Sequence, residues 1–118
     1  MGGMTVTSAT IGLPVSDLQQ AEEWYRRVFE LTGPTVEPAP GVIEIVLGPI
    51  ELQLSEEPTD RSGAQVTLRL GVDDAPAEYR RMTDLGLSLG PLEHVDGVVD
   101  YFDFSDPDGN SLSLYSLA

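Results

Sequence analysis

Seven side chains in this sequence have the chemistry to engage a small molecule: Glu44, Glu51, Arg69, His94, Tyr101, Asp103 and Tyr115. Alternation in Ile50-Glu51-Leu52 puts the Glu51 carboxylate on the polar face of a strand. There it can contact a cationic or hydroxylated ligand, or act as a base if its pKa is raised. The competing role is a carboxylate left in water or paired with Arg69. Glu44 and Asp103 occupy outer strand positions, which are often simply solvated. Arg69 either balances a carboxylate or grips an anionic or carbonyl group. His94, the single histidine, is the other candidate acid or base. Its place beside Asp96-Gly97 equally suits an ordinary surface histidine. Tyr101 and Tyr115 can stack on a planar ligand, donate hydrogen bonds, or merely line a face. Thr10, Thr67 and Ser113 add hydroxyls and Gln53 an amide. No base is evident to activate those hydroxyls, and no Ser-His-Asp order, P-loop or GxGxxG pattern appears, so nucleophilic and nucleotide chemistry lack support.

The elements that must position these groups follow from periodicity. Asp106-Pro107-Asp108-Gly109-Asn110 is a turn signal between two alternating runs, with Phe102, Phe104, Leu112 and Leu114 on the apolar face. Tyr101, Asp103, Ser113 and Tyr115 share the polar one. Thr5 to Val15 reads as a strand. A helix follows, with Ser16 as N-cap and Gln19 completing a capping box, running to about Leu31 and stopped by Gly33-Pro34. Trp24 and Phe29 are read as helix-to-sheet packing. Thr35 to Gly41 is a Pro-rich loop with room for a weak strand. Val42 to Leu47 and Ile50 to Leu54 form a hairpin about Gly48-Pro49, pairing Leu47 with Ile50, Val46 with Glu51 and Glu44 with Gln53.

After a polar linker the pattern restarts. Gln65 to Val72 is a strand with Thr67 and Arg69 on its polar face. Asp73 or Asp74 caps a second helix that ends at Gly86. Leu92 to Val95 and Val98 to Ser105 pair about Asp96-Gly97, setting His94 opposite Val99 and Leu92 opposite Tyr101. Strict alternation then sends Asp100 to the apolar face, so a strand end or a bulge is expected there. At an offset of 57 residues, Thr10, Leu13, Val15 and Asp17 fall on Thr67, Leu70, Val72 and Asp74. The repeat predicts an α+β fold of two tandem βαβββ modules, with sheets lining a cavity and helices outside. All of 1–118 is read as one domain: module 1 about 5–55, a linker about 56–64, module 2 about 65–118.

Composition narrows the function classes. The chain has 118 residues, 20 acidic and 6 basic, all six basic residues being Arg, for a net charge of −14. A nucleic-acid partner is disfavoured, whereas a cationic ligand would be concentrated near the surface. Zero cysteine excludes disulfides, thiolate catalysis and Cys metal sites. Without a long apolar run or a leader pattern, no membrane role is expected and a cytoplasmic location is the default.

Leu13-Pro14-Val15-Ser16-Asp17-Leu18 with Trp24-Tyr25, then Ile50-Glu51-Leu52, Gly71-Val72-Asp73 and Asp106-Pro107-Asp108-Gly109-Asn110, resemble the vicinal oxygen chelate superfamily. That superfamily includes glyoxalase I, extradiol dioxygenases, fosfomycin-resistance enzymes and bleomycin-resistance proteins. The resemblance implies four metal-ligand positions, here Thr10, Glu51, Thr67 and Ser113. Only Glu51 keeps a usual ligand type, and hydroxyls replace imidazole or carboxylate poorly toward a divalent ion. No metal and no other cofactor is therefore expected. The character matches the bleomycin-resistance branch: a homodimer that sequesters a cationic or aromatic small molecule, such as an antibiotic, through the polar-face residues. The alternative is a glyoxalase-like lyase or isomerase, using Glu51 as ligand to a divalent metal or as base, with His94 assisting. A third possibility is an accessory domain that takes no ligand.

Overall fold

The computed structural model describes residues 3, 5–58 and 66–118. Most of the expected linker, and the expected strand start at Gln65, lie outside the described residues. The chain divides into two compact units, Met1–Thr59 and Asp60–Ala118. Each is one βαβββ module, and together they make the α+β fold of two tandem repeats.

The first module contains β1 (Thr10–Val15), α1 (Leu18–Phe29), β2 (Val36–Ala39), β3 (Val42–Leu47) and β4 (Ile50–Glu56). Its sheet runs β1-β4-β3-β2, with β1 parallel to β4 and the other pairs antiparallel. β1 begins at Thr10, not Thr5, because β4 starts at Ile50 and the ladder reaches back no further than Ala9, whose carbonyl accepts from the Glu51 N–H at 3.0 Å. The β3–β4 register is the expected one: Leu47 faces Ile50, Val46 faces Glu51 and Glu44 faces Gln53. Gly48 at φ +58° followed by Pro49 turns the chain, since only glycine takes a positive φ without steric cost. Ile43, Ile45, Leu47, Leu52 and Leu54 are buried on one face, and α1 packs against β4 through Ala21, Tyr25 and Val28. The Tyr25 and Phe29 rings stack at 5.7 Å, with Trp24 edge-on to both, so these aromatics serve packing.

Two details of α1 differ from expectation. The N-cap is Asp17, not Ser16: the Asp17 carboxylate accepts from the Gln20 N–H at 3.0 Å. Asp17 caps because its backbone is extended (φ −138°, ψ 109°) where the helix starts at Leu18. The helix also stops before Gly33, at Glu30, which adopts the left-handed conformation with φ 55°. The loop beyond is tied back: Arg26 and Glu22 both bond Thr35, and Arg26 also donates to the Leu31 carbonyl.

The second module repeats the plan with β5 (Thr67–Gly71), α2 (Ala75–Asp84), β6 (Glu93–Val95), β7 (Val99–Ser105) and β8 (Ser111–Leu117), in the order β5-β8-β7-β6. Asp74 is the cap, accepting from Ala77 N–H at 3.0 Å. Gly86 at φ +88° closes the helix, with Gly86 N–H on the Thr83 carbonyl and Leu87 N–H on that of Met82. α2 covers β7 and β8, burying Ala75, Met82, Phe102, Leu112 and Leu114 and setting Tyr79 edge-on to Phe102 at 5.1 Å. The buried Asp106 carboxylate accepts from the Asp108 N–H, the Asn110 N–H and the Asn110 side chain. The turn thus supplies its own hydrogen-bond partners, as buried polar groups require.

The β6–β7 register departs by one residue from expectation. His94 faces Asp100 and Glu93 faces Tyr101, so the loop is Asp96-Gly97-Val98 and Leu92 lies outside the strand. The Val98 N–H bonds the Val95 carbonyl, which draws Val98 into the loop. Asp100 needs no bulge. It lies near the beginning of regularly paired β7, where His94 meets its carboxylate.

Candidate functional site

Each sheet has one polar face, and alternation decides what it carries. In the first module, Thr10 stands beside Glu51, and Gly12 beside Gln53, which faces Glu44. Gln53 donates to the Glu44 carboxylate at 2.9 Å. Glu51 is exposed, and no hydrogen bond or ion pair among the described residues engages its side chain.

In the second module, the polar face carries Thr67, Arg69 and Gly71 on β5, Ser111, Ser113 and Tyr115 on β8, and Tyr101, Asp103 and Ser105 on β7. A recess of about 410 Å³ opens on this face, lined by Arg69, Val99, Tyr101, Asp103 and Tyr115. Four of these five were expected site residues. Arg69 Nη1 donates to Ser113 Oγ at 3.3 Å and lies 3.7 Å from Asp103 Oδ1. The expected alternative of a carboxylate partner for Arg69 is therefore met by Asp103, on its own sheet. Ser113 is buried, and its hydroxyl donates to the Phe102 carbonyl at 3.2 Å. Thr67 shares a 2.8 Å hydroxyl contact with Ser111, its neighbour in register.

His94 is not part of this face. The one-residue register shift turns it to the side of Asp100 and Phe102, away from Tyr101 and Asp103. Its Nδ1 lies 2.5 Å from Asp100 Oδ1 and its Nε2 3.6 Å from Asp96. The hydrogen bond to Asp100, then its charge, raise the His94 pKa above the ordinary histidine value.

The four positions that the resemblance assigns to metal ligands hold one carboxylate and three hydroxyls, and Ser113 stands beside Arg69, not Thr67. No group of three or more His, Asp or Glu side chains among the described residues could hold a metal ion. The donor set does not suit a catalytic divalent ion.

Val99 completes the lining of the recess and was not an expected site residue, and one glycine behind the lining bears on its shape. Gly71 is the register neighbour of Tyr115, and a Cβ there would lie 3.1 Å from the Tyr115 Cζ and Oη atoms. The phenol ring lies over the glycine, and a Cβ there would require the ring to shift by a few tenths of an ångström. An isolated glycine near a strand end was the available signal.

The model of the Glyoxalase/Bleomycin resistance protein/Dioxygenase superfamily matches residues 7–114, and the chain belongs to that family. No curated protein matches the sequence. Among solved structures, TnmS3, an antibiotic binding protein from Streptomyces sp. CB03234, is similar at 23% identity and a TM-score of 0.82, covering 98% of this chain and 100% of that one. Lactoylglutathione lyase from Agrobacterium tumefaciens is similar at 21% identity and 0.74, covering 92% and 91%. The fosfomycin resistance protein FosX from Listeria monocytogenes, complexed with Mn(II) and sulfate, is similar at 14% identity and 0.79, covering 98% and 93%. At these identities the likeness establishes the fold. Function rests on the site.

Proposed function

We propose that this protein binds a small cationic or aromatic molecule without a metal and without turning it over, as a homodimer. An antibiotic, the class bound by TnmS3, is the first candidate. The observation that carries this reading is the recess on the second sheet. Two tyrosines and an arginine–aspartate pair line it, while hydroxyls hold three of the four positions that the resemblance assigns to metal ligands. Tyrosine rings bury flat apolar surface and the charged pair orients polar groups. The net charge of −14 adds a field that favours cations in the approach. A thermal-shift screen of cationic and planar aromatic compounds, antibiotics first, tests it. Stoichiometric ligands that raise the melting temperature and are recovered unchanged are expected. Catalytic turnover, with no stoichiometric ligand found, would overturn it. Light scattering at micromolar concentration checks the dimer.

A second reading draws on Glu51. Its exposed, unengaged carboxylate beside Thr10 suits a metal ligand or base of a glyoxalase-like lyase or isomerase. Its metal-dependent form requires a divalent metal to raise stability and activity together, with Glu51→Gln abolishing both; a metal-free form with Glu51 as base requires turnover without metal that Glu51→Gln abolishes.

A further inference from the structure

Tyr101 and Tyr115 are direct cross-strand partners on the polar face of β7 and β8. Aromatic residues placed so normally pack on one another, with Cβ atoms about 5 Å apart. Here the two rings make no aromatic contact, because the Tyr115 ring leans the other way, over Gly71. Neither phenol hydroxyl is engaged by a hydrogen bond among the described residues. Both tyrosines line one recess with Arg69 and Asp103, and their parted rings define a slot between them.

Arg69 and Asp103 are 3.7 Å apart and both more than half exposed. That separation is beyond hydrogen-bond length, so Arg69 keeps donors and Asp103 keeps lone pairs to offer. A ligand bearing one net charge would satisfy one member and confront the other with a like charge. A neutral edge with an acceptor and a donor on neighbouring atoms serves both: its carbonyl oxygen accepts from Arg69, and its N–H or O–H donates to Asp103. The recess of about 410 Å³ falls within the ordinary range for small-molecule sites, about 300–1,000 Å³.

We infer that the Tyr101–Tyr115 slot takes a flat, neutral aromatic whose edge presents a lactam-like acceptor and donor side by side to Arg69 and Asp103. Gly71 acts as the positioning residue that holds the slot open. This inference rests on the binding reading above and narrows its ligand class.

The test is fluorescence titration of the full chain with three probes. Lumichrome carries adjacent C=O and N–H groups on a flat neutral frame. Its 1,3-dimethyl derivative lacks the N–H donors, and proflavine is a flat cation. Lumichrome is expected to saturate one site per chain and the dimethyl compound to bind at least tenfold more weakly. Gly71→Ala is expected to weaken lumichrome about tenfold without lowering the melting temperature, because the strand backbone at Gly71 suits alanine. In a Tyr115→Ala background the same change should do nothing further. Asp103→Asn, at an exposed position, provides an independent variant and should abolish the preference for lumichrome over its dimethyl form.

Equal binding of both alloxazines, or tighter binding of proflavine, would overturn the neutral donor–acceptor edge while leaving small-molecule binding intact. An additive effect of Gly71→Ala on Tyr115→Ala would overturn the positioning role. Failure of all three probes would overturn this inference. Failure of the wider screen as well would overturn the binding reading.

Discussion

The two modules share one topology and meet the same structural demands with different residues. At the start of each helix, a side chain from the end of the last strand supplements the cap. In the first module the Glu56 carboxylate accepts the Leu18 N–H at 2.9 Å. In the second the Ser116 hydroxyl accepts the Ala75 N–H at 2.8 Å, and the contact is buried. At the end of each helix the chain enters the left-handed region, through Glu30 in α1 and Gly86 in α2. The polar faces diverge further. The first carries Glu44, Gln53 and Glu51; the second carries Arg69, Asp103 and the tyrosine slot. The fold tolerates exchange of residue type wherever the hydrogen bond or backbone conformation is kept, and this frees each face to take its own chemistry.

The sharpest contrast lies in the turns between the last two strands. Asp106 serves three donors in a buried turn, whereas Gly48-Pro49 relies on backbone conformation alone. Asp106→Ala is expected to cost about 3 kcal/mol in urea denaturation, since buried donors lose a charged acceptor. Pro49→Ala should cost below about 1 kcal/mol, the scale of lost chain restriction. Equal costs would show that both turns depend on conformation only.

The helix starts give the next difference. Ser116→Ala should cost about 1–2 kcal/mol by leaving a buried N–H unpaired. Glu56→Ala, at an exposed end that water can reach, should cost about 0.5 kcal/mol. The helix ends reverse sign. Gly86→Ala should destabilise by about 1–2 kcal/mol, the penalty for a side chain in the left-handed region. Glu30→Gly should stabilise by about 0.5 kcal/mol, as relief of strain exceeds the entropy cost of glycine.

Response to pH separates the modules most subtly. The Thr35 hydrogen bond, then Arg26, holds the Glu22 carboxyl below its ordinary value. Its stabilisation is present above about pH 4.5 and is lost as pH falls through the lowered value. His94 behaves oppositely. Its contribution is complete below about pH 6.5 and is lost as pH rises through its raised value. NMR titration of the single histidine should give a pKa above the ordinary one, returned toward it by Asp100→Asn. An unshifted His94 would mean that the Asp100 contact does not persist in solution.

Much of this was legible in residue order. Alternation assigned Glu44, Glu51 and Gln53 to one polar face and Arg69, Tyr101, Asp103 and Tyr115 to another, because a strand's period of two leaves little choice. The β3–β4 register followed from a two-residue loop. The β6–β7 register did not, because Asp96-Gly97 looks like a two-residue turn until Val98 joins the loop, and one residue moves His94 to the other face. The caps from Glu56 and Ser116 join residues about 40 positions apart, 38 in one module and 41 in the other. No local signal announces them. Gly71 was hidden for the same reason: its meaning is the ring that Tyr115 lays over it.

The most direct test of metal-independent binding at the second sheet is calorimetric titration of metal-stripped protein. The titrant is the first compound found to raise its melting temperature, in EDTA and again after loading with manganese, nickel, cobalt or zinc. One saturable site of equal affinity in both conditions, lost in Tyr101→Ala/Tyr115→Ala, is expected. Binding only after metal loading, abolished by Glu51→Gln and indifferent to the tyrosines, would contradict it and move the chemistry to the first module.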